Sequence, residues 1–385
     1  MRASLGAISV STAAVFLASV LFLSCASPGP AQAPRPGSVN PRPGPGKSYF
    51  VEAFRIGWYD SVRNPANPRR LAEAGFDVVM PYAGSFSLDQ VREYLSAAEK
   101  AGIGVHMDVP RYTYRGAEGN ALETFIRTVR DNPSIISWYL ADEPEWRPGH
   151  SPGLLERAYS RVRALDAERD IVQVFMFPFR AGAYRGSMDR IWIDWYPVRA
   201  GSREHRAFRG GRYADRMKSF GTTADRLGLP LTVVVQGYGE GVDGKPQFGR
   251  RLPTPSETRY MFWASFLSRP EEILYWTLYR TRSVWLEESL LPEVRAFRER
   301  FPDAVEYVPD PGFRIRGGKA DSILLGNGRG DFWLVVLDQE GRDHKIILQA
   351  PAGYAFAGGP GIAARETGFH LGPYGVQLLE ISEIP

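Results

Sequence analysis

A (β/α)8 TIM barrel followed by a small antiparallel β-sandwich is the fold this chain predicts, and three observations predict it. Between residues 54 and 301 eight short apolar runs alternate with helical stretches. Near-continuous apolar strands of this kind belong to a parallel sheet covered by helices, and eight such units in about 250 residues close a barrel. Beyond residue 312 the helical pattern stops, and strand-like runs follow one another across Asn-Gly, Glu-Gly and Gly/Pro turns. A doubly wound open sheet is the competing arrangement. It would require a phosphate-binding Gly loop after the first strand, and Gly57-Trp58-Tyr59-Asp60 is nothing of the kind.

From the N-terminus, Met1-Arg2 precedes an apolar run from Leu5 to Leu23, which reads as a secretory signal peptide over 1–24. Phe22-Leu23-Ser24-Cys25 resembles a bacterial lipobox, whose Cys carries a lipid, with Phe22 where Leu is common. Cys25 is the single cysteine of the chain, so no internal disulfide can form. The rival reading is ordinary secretion with cleavage at Ala31-Gln32-Ala33. Residues 26–47 hold seven Pro and four Gly and read as an extended tether. The expected organisation is signal 1–24, tether 25–47, barrel 48–311 and sandwich 312–385, with the chain exported and, through Cys25, anchored to the bacterial envelope membrane.

The barrel strands are expected at 54–60, 76–82, 103–109, 134–143, 171–177, 189–197, 231–236 and 272–279. Ser87 with Gln90 forms a capping box that starts a helix, and Gly102 ends it. Asn120, with Glu123 three residues on, starts the next. Further helices are expected around 153–167, up to Leu227, from Pro255, and over 284–301. The sandwich strands are DSILLG, DFWLVVLD, HKIILQA and YGVQLLEIS. A supporting role for this domain is the simpler reading, and carbohydrate binding the alternative.

Composition narrows the partners. The net charge is only +4 over 385 residues, and six of the 47 basic residues are Lys, leaving 41 Arg. No basic stripe interleaved with aromatics marks nucleic-acid binding. The five His show no HxH or HExxH spacing, so no metal or other cofactor is expected, and no Gly-x-Ser-x-Gly elbow points to a serine hydrolase.

A barrel of this kind carries its site at the C-terminal ends of its strands. Those ends supply Trp58, Tyr59 and Asp60, then Tyr82, Asp108 and Arg111. The later strands add Asp142 and Glu143, Asp194 and Tyr196, Gln236, and Trp276 and Tyr279. Carboxylates among large aromatics suit a carbohydrate. In Trp138-Tyr139-Leu140-Ala141-Asp142-Glu143-Pro144, adjacent carboxylates raise one pKa, and a Glu kept protonated near neutrality is what glycosidic cleavage needs as a general acid. The same pair could instead begin the following helix. Asp194 is either a second catalytic carboxylate or a group that orients a sugar hydroxyl or pairs with an Arg. Asp108 shares strand parity with His106, which suggests a buried His–Asp hydrogen bond. Arg111 could hold a carboxylated sugar or neutralise Asp142.

Trp-Tyr-Leu-Ala-Asp-Glu-Pro resembles the fourth-strand motif of barrel glycoside hydrolases, which implies Glu143 as acid/base. The retaining clan of those enzymes also implies a Glu nucleophile at the end of strand seven. Here Gln236 stands in its place, with Glu240 four residues on. The Asp-Glu pair is also similar to that of substrate-assisted β-N-acetylhexosaminidases, which would make Asp142 the orienter of a 2-acetamido group. Tyr196, Gln236 and Trp276 would complete the pocket, with Trp58, Tyr82, Asp108 and Arg111 as further substrate-binding candidates. Two functions stay open: cleavage of O-glycosidic bonds with Glu143 as acid, or a non-catalytic saccharide-binding lipoprotein on a degenerate barrel.

Overall fold

The computed structural model describes residues 42–384, apart from 45, 85, 110–119, 240–244, 279–280, 282 and 358–362. A three-residue strand, β1 (Tyr49–Val51), precedes eight strands that form a closed parallel barrel. These are β2 (Arg55–Ser61), β3 (Val78–Tyr82), β4 (Gly104–Asp108), β5 (Ile135–Asp142), β6 (Asp170–Phe175), β7 (Arg190–Trp195), β8 (Leu231–Gln236) and β9 (Glu272–Trp276). β9 pairs with β2 and closes the ring.

Helices cover the outside. Ser87 caps Leu88–Ala101 in a capping box with Gln90, and Gly102 ends it at φ 66°. Thr254 and Glu257 form a second box at the start of Pro255–Ser265. Asn120 holds the N-cap position of Ala121–Val129, but its side chain makes no capping bond. The barrel interior is filled by Tyr59, Met80, Tyr139, Val172, Val174, Trp192, Val234 and Leu274.

Below this apolar layer lies a buried polar one. Glu272 accepts from Arg55 Nε at 2.7 Å and from Thr232 Oγ1 at 3.1 Å, and it lies 3.0 Å from His106 Nε2. The other ring nitrogen of His106 is 2.6 Å from Ser137 Oγ. Thus His106 pairs with Glu272 and Ser137. The expected His106–Asp108 bond does not form, because Asp108 sits one turn of the pleat nearer the C-terminal rim.

The C-terminal strands are β10 (Val305–Val308), β11 (Arg314–Arg316), β12 (Ala320–Gly326), β13 (Phe332–Asp338), β14 (His344–Gln349), β15 (Tyr354–Ala357), β16 (Ala363–Ala364), β17 (Glu366–Leu371) and β18 (Val376–Glu383). They form a seven-stranded sheet, ordered β1-β10-β12-β13-β18-β15-β16, and a three-stranded sheet, β11-β14-β17. Period-two alternation divides the larger sheet's side chains. Leu324, Leu334 and Val336 enter the sandwich core, whereas Leu325, Val335 and Leu337 join the barrel's core.

Two strands of this sheet, β1 and β10, come from segments expected to belong to the barrel. Tyr49 of β1 stacks on Tyr307 of β10 at 5.9 Å and its hydroxyl bonds Glu271. Part of the stretch read as a tether is also packed against the fold. Arg42 is buried, with Nε 2.6 Å from Asp225 Oδ1 and a further bond to the Ser268 carbonyl. Cys25 and the expected signal lie outside the described residues.

Candidate active site

β5, the fourth strand of the barrel, delivers the carboxylates. Along it Trp138 packs outward beneath the helices and Tyr139 points into the barrel. Its pairing with β6 then shifts register between Tyr139 and Ala141, and Leu140 and Ala141 both pack outward. Such an irregularity resets the inside–outside alternation and re-aims the next side chain. Asp142 consequently turns inward, where Tyr139 donates its hydroxyl to Oδ1 at 2.8 Å. Glu143 follows at φ 46°, a left-handed conformation uncommon for a residue with a Cβ. Its N–H still donates to the Val174 carbonyl on β6 at 3.0 Å. Strained backbone of this kind collects at functional sites.

Arg147 neutralises Asp142. Its Nε donates to the Asp142 carbonyl at 2.6 Å, and its terminal nitrogen pairs with Oδ2. The same guanidinium lies 3.9 Å from the Glu143 carboxylate. Asp194, near the end of β7, is 4% exposed and faces both the Glu143 carboxyl and the Tyr196 hydroxyl. Its Oδ1 makes no hydrogen bond among the described residues. Burial, and then the charges of Glu143 and Asp142, push the Asp194 carboxyl well above the ordinary carboxylate range. Burial and then Asp142 raise Glu143, against the opposing pull of Asp194 and Arg147. Two carboxyls in such contact resist ionising together, so the pair holds one proton where a solvated carboxylate has lost it.

Aromatic side chains wall the space above. A cavity of about 820 Å³ is lined by Tyr82, Phe86, Asp142 and Trp276, among others. Trp276 donates Nε1–H to the Tyr82 hydroxyl at 3.0 Å and stacks on Tyr196 at 5.3 Å. Tyr238 meets Trp276 edge-on at 4.4 Å, and Phe248, 63% exposed, lies 5.8 Å from it. The cavity is of the size that encloses a small organic ligand.

The structure thus brings together Asp142, Glu143, Asp194, Tyr82, Tyr196 and Trp276. Asp108 holds the rim by accepting the Ala83 N–H at 3.0 Å. Two expected substrate contacts are corrected. Trp58 is fully buried on the outer face of β2, edge-on to Phe76 and Trp285, and does not face the cavity. Gln236 is also fully buried, and its amide is spent on backbone. Oε1 accepts from Val198 N at 2.8 Å, and Nε2 donates to the carbonyls of Val198, Tyr238 and Arg251 at 2.9–3.0 Å. Replacing Gln236 by Ala strands these groups and is expected to destabilise the fold by about 1–3 kcal/mol, read as a lower urea midpoint. Arg111, Glu240 and Tyr279 lie outside the described residues. Arg147 and Phe248 are additions: a strand-end carboxylate pair needs a nearby cation, and Arg147 was the basic residue a turn away.

No family model and no curated protein matches the chain. Solved structures share its fold, and those neighbours are glycoside hydrolases. One described simply as a glycoside hydrolase aligns over 86% of this chain and 92% of its own, with TM-score 0.60 and 14% identity. A family 5 glycoside hydrolase from Bacteroides vulgatus aligns over 86% and 89%, with TM-score 0.58 and 13% identity. A family 27 β-L-arabinopyranosidase from Geobacillus stearothermophilus, solved with arabinose, aligns over 87% and 98%, with TM-score 0.57 and 11% identity. Identities this low establish a common barrel and leave the chemistry to the site.

Proposed function

We propose that this protein hydrolyses O-glycosidic bonds with Glu143 as the proton donor. The observation that carries the reading is Glu143 facing the buried Asp194, next to Asp142, which lines the cavity together with Tyr82 and Trp276. Asp194 is the deeper of the two, so Glu143 is the member that reaches a leaving oxygen. Its proton passes to the glycosidic oxygen as the bond from that oxygen to the anomeric carbon breaks. Positive charge growing on the sugar ring is opposed by the remaining carboxylates. Water then adds to the anomeric carbon, and its proton returns to Glu143. Asp142 has both oxygens occupied, by Tyr139 and Arg147, which speaks against its orienting a 2-acetamido group.

The test is hydrolysis of a panel of oligosaccharides, with products read by mass spectrometry. Absence of cleavage across the panel while sugars still bind would favour the saccharide-binding alternative. That alternative draws on Gln236, an amide with no free polar atom at the end of β8.

The pH profile supplies a second check. The acid must be protonated, so activity falls as pH rises through the upper ionisation of the pair, which lies above the ordinary carboxylate range. In Asp194→Asn the pair becomes a single carboxyl, and the alkaline limb of kcat/KM, then set by Glu143 alone, is expected to move. An unmoved limb would separate Asp194 from the proton. Export and lipid anchoring belong to the same proposal. Cys25→Ser is expected to release the protein from membranes, and continued membrane partitioning would remove the anchor.

A further inference from the structure

We infer that the substrate is an acidic glycan, and that an arginine-lined cavity next to the aromatic wall receives its anionic substituent; this rests on the glycoside-hydrolase reading above. The cavity, of about 830 Å³, opens beside Tyr196, the residue that stacks on Trp276 and faces Asp194. Its lining contributes Arg199, Arg206, Arg212, Arg216 and Arg250 against one carboxylate, Asp215. Asp215 lies 3.6 Å from Lys218 and so is already shared with another cation. Arg216 lies over the Trp195 ring at 5.3 Å. None of the other four guanidiniums makes an ion pair among the described residues, in a protein where Arg251, next along the chain, is held by two bonds to Glu257 at 2.7 and 2.8 Å.

The backbone holds this charge in place. The loop after β7 and the loop after β8 pair at Arg199 and Arg250, and Ala200 N–H donates to the Gly249 carbonyl at 2.9 Å. The clasp that locks the two loops is Gln236, bonded to Val198 on one side and Arg251 on the other, the immediate neighbours of Arg199 and Arg250. The position where a strand-seven carboxylate was expected therefore serves as a positioning residue for two arginines. Guanidiniums gathered without counter-charge repel one another, and a carboxylate or sulfate ester relieves that repulsion through charge-assisted, often bidentate, hydrogen bonds. A concave site whose Tyr196 stacks on Trp276 of the other cavity fits a substituent on a bound glycan better than a flat lipid surface.

The experiment is calorimetric binding to the full chain carrying Glu143→Gln, so that no ligand is consumed. The probes are a short oligogalacturonide, a heparin-derived sulfated oligosaccharide, a neutral cello-oligosaccharide and anionic phospholipid vesicles. At least one acidic oligosaccharide is expected to bind about tenfold or more tighter than the neutral one, with affinity falling as salt is raised. Preference for the oligogalacturonide would assign a uronate and preference for the heparin fragment a sulfate. Adding Arg199→Ala with Arg250→Ala should lower acidic binding by about tenfold or more with the melting temperature unchanged, and Arg199→Lys should lower it less. Equal binding of neutral and acidic glycans overturns the inference and leaves the hydrolase reading standing. Arginine-dependent binding to vesicles but not to acidic glycans also overturns it. Failure of every oligosaccharide to bind overturns both.

Discussion

Glu143→Gln is expected to lower the rate of glycosidic cleavage by about 10²–10⁴-fold, the range a positioned general acid supplies. Gln keeps the size of Glu and can still bond Asp194, but it has no proton to give. The loss should be greatest for substrates with a poor, strongly basic leaving group. It should nearly vanish for an activated aryl glycoside, whose leaving oxygen needs no proton, and comparing the two initial rates checks the role directly. The fold should survive. Carboxyls raised by burial contribute stability that is present below their unfolded pKa and is lost as pH rises through the raised folded values. At neutral pH the Glu143–Asp194 pair is therefore a source of instability, and Glu143→Gln should raise the melting temperature rather than lower it. Unchanged turnover of the poor-leaving-group substrate would take Glu143 out of the mechanism.

Glu272→Ala is expected to have the opposite signature, a loss of about 3–5 kcal/mol in unfolding free energy, as when one member of a buried ion pair is removed. The deletion leaves the Arg55 guanidinium, the His106 ring and the Thr232 hydroxyl without their shared acceptor. Burial alone would raise the Glu272 carboxyl, but His106 and Arg55 together hold it well below the usual range. Burial lowers His106. A depressed carboxyl contributes stability above its unfolded pKa, which is lost as pH falls toward its folded value. A buried neutral His adds to that acid sensitivity below about 6.5, its ordinary value. Denaturant titrations at several pH values should thus show wild-type stability declining into acid, and Glu272→Ala flattening that decline. A loss below about 1 kcal/mol would mean the polar layer is not a structural keystone.

The barrel was legible because its signals are local. LTVVVQ is bounded by Pro230 and Gly237 and forms a strand over Leu231–Gln236, as expected. The Ser87–Gln90 box and Gly102 likewise mark the helix that forms between them. Local pattern fails where it carries no alternation. Both faces of β2 are buried, so nothing in FRIGWYD says that Tyr59 turns inward and Trp58 outward. Of the candidate site, the adjacent carboxylates Asp142 and Glu143 were visible in the sequence, and Asp194 and Trp276 lay at strand ends. The register shift before Asp142 and the left-handed backbone of Glu143 depend on β6 and have no sequence mark. Gln236 misled for a related reason: an amide at a strand end looks like a ligand, and only the loops it ties together show its work. β1 and β10 were assigned to the barrel because short strands pairing across some 250 residues leave no local trace.

The proposed acid catalysis requires a proton held between Glu143 and Asp194, and side-chain carboxyl NMR of selectively ¹³C-labelled protein measures it without a substrate. The wild-type protein should show a carboxyl of this pair titrating above the ordinary carboxylate range. That titration should shift in both Glu143→Gln and Asp194→Asn, because each change removes one carboxyl of the pair from the other's surroundings. Ordinary titration of both carboxyls in the wild type, with each curve indifferent to loss of the other residue, would contradict the account.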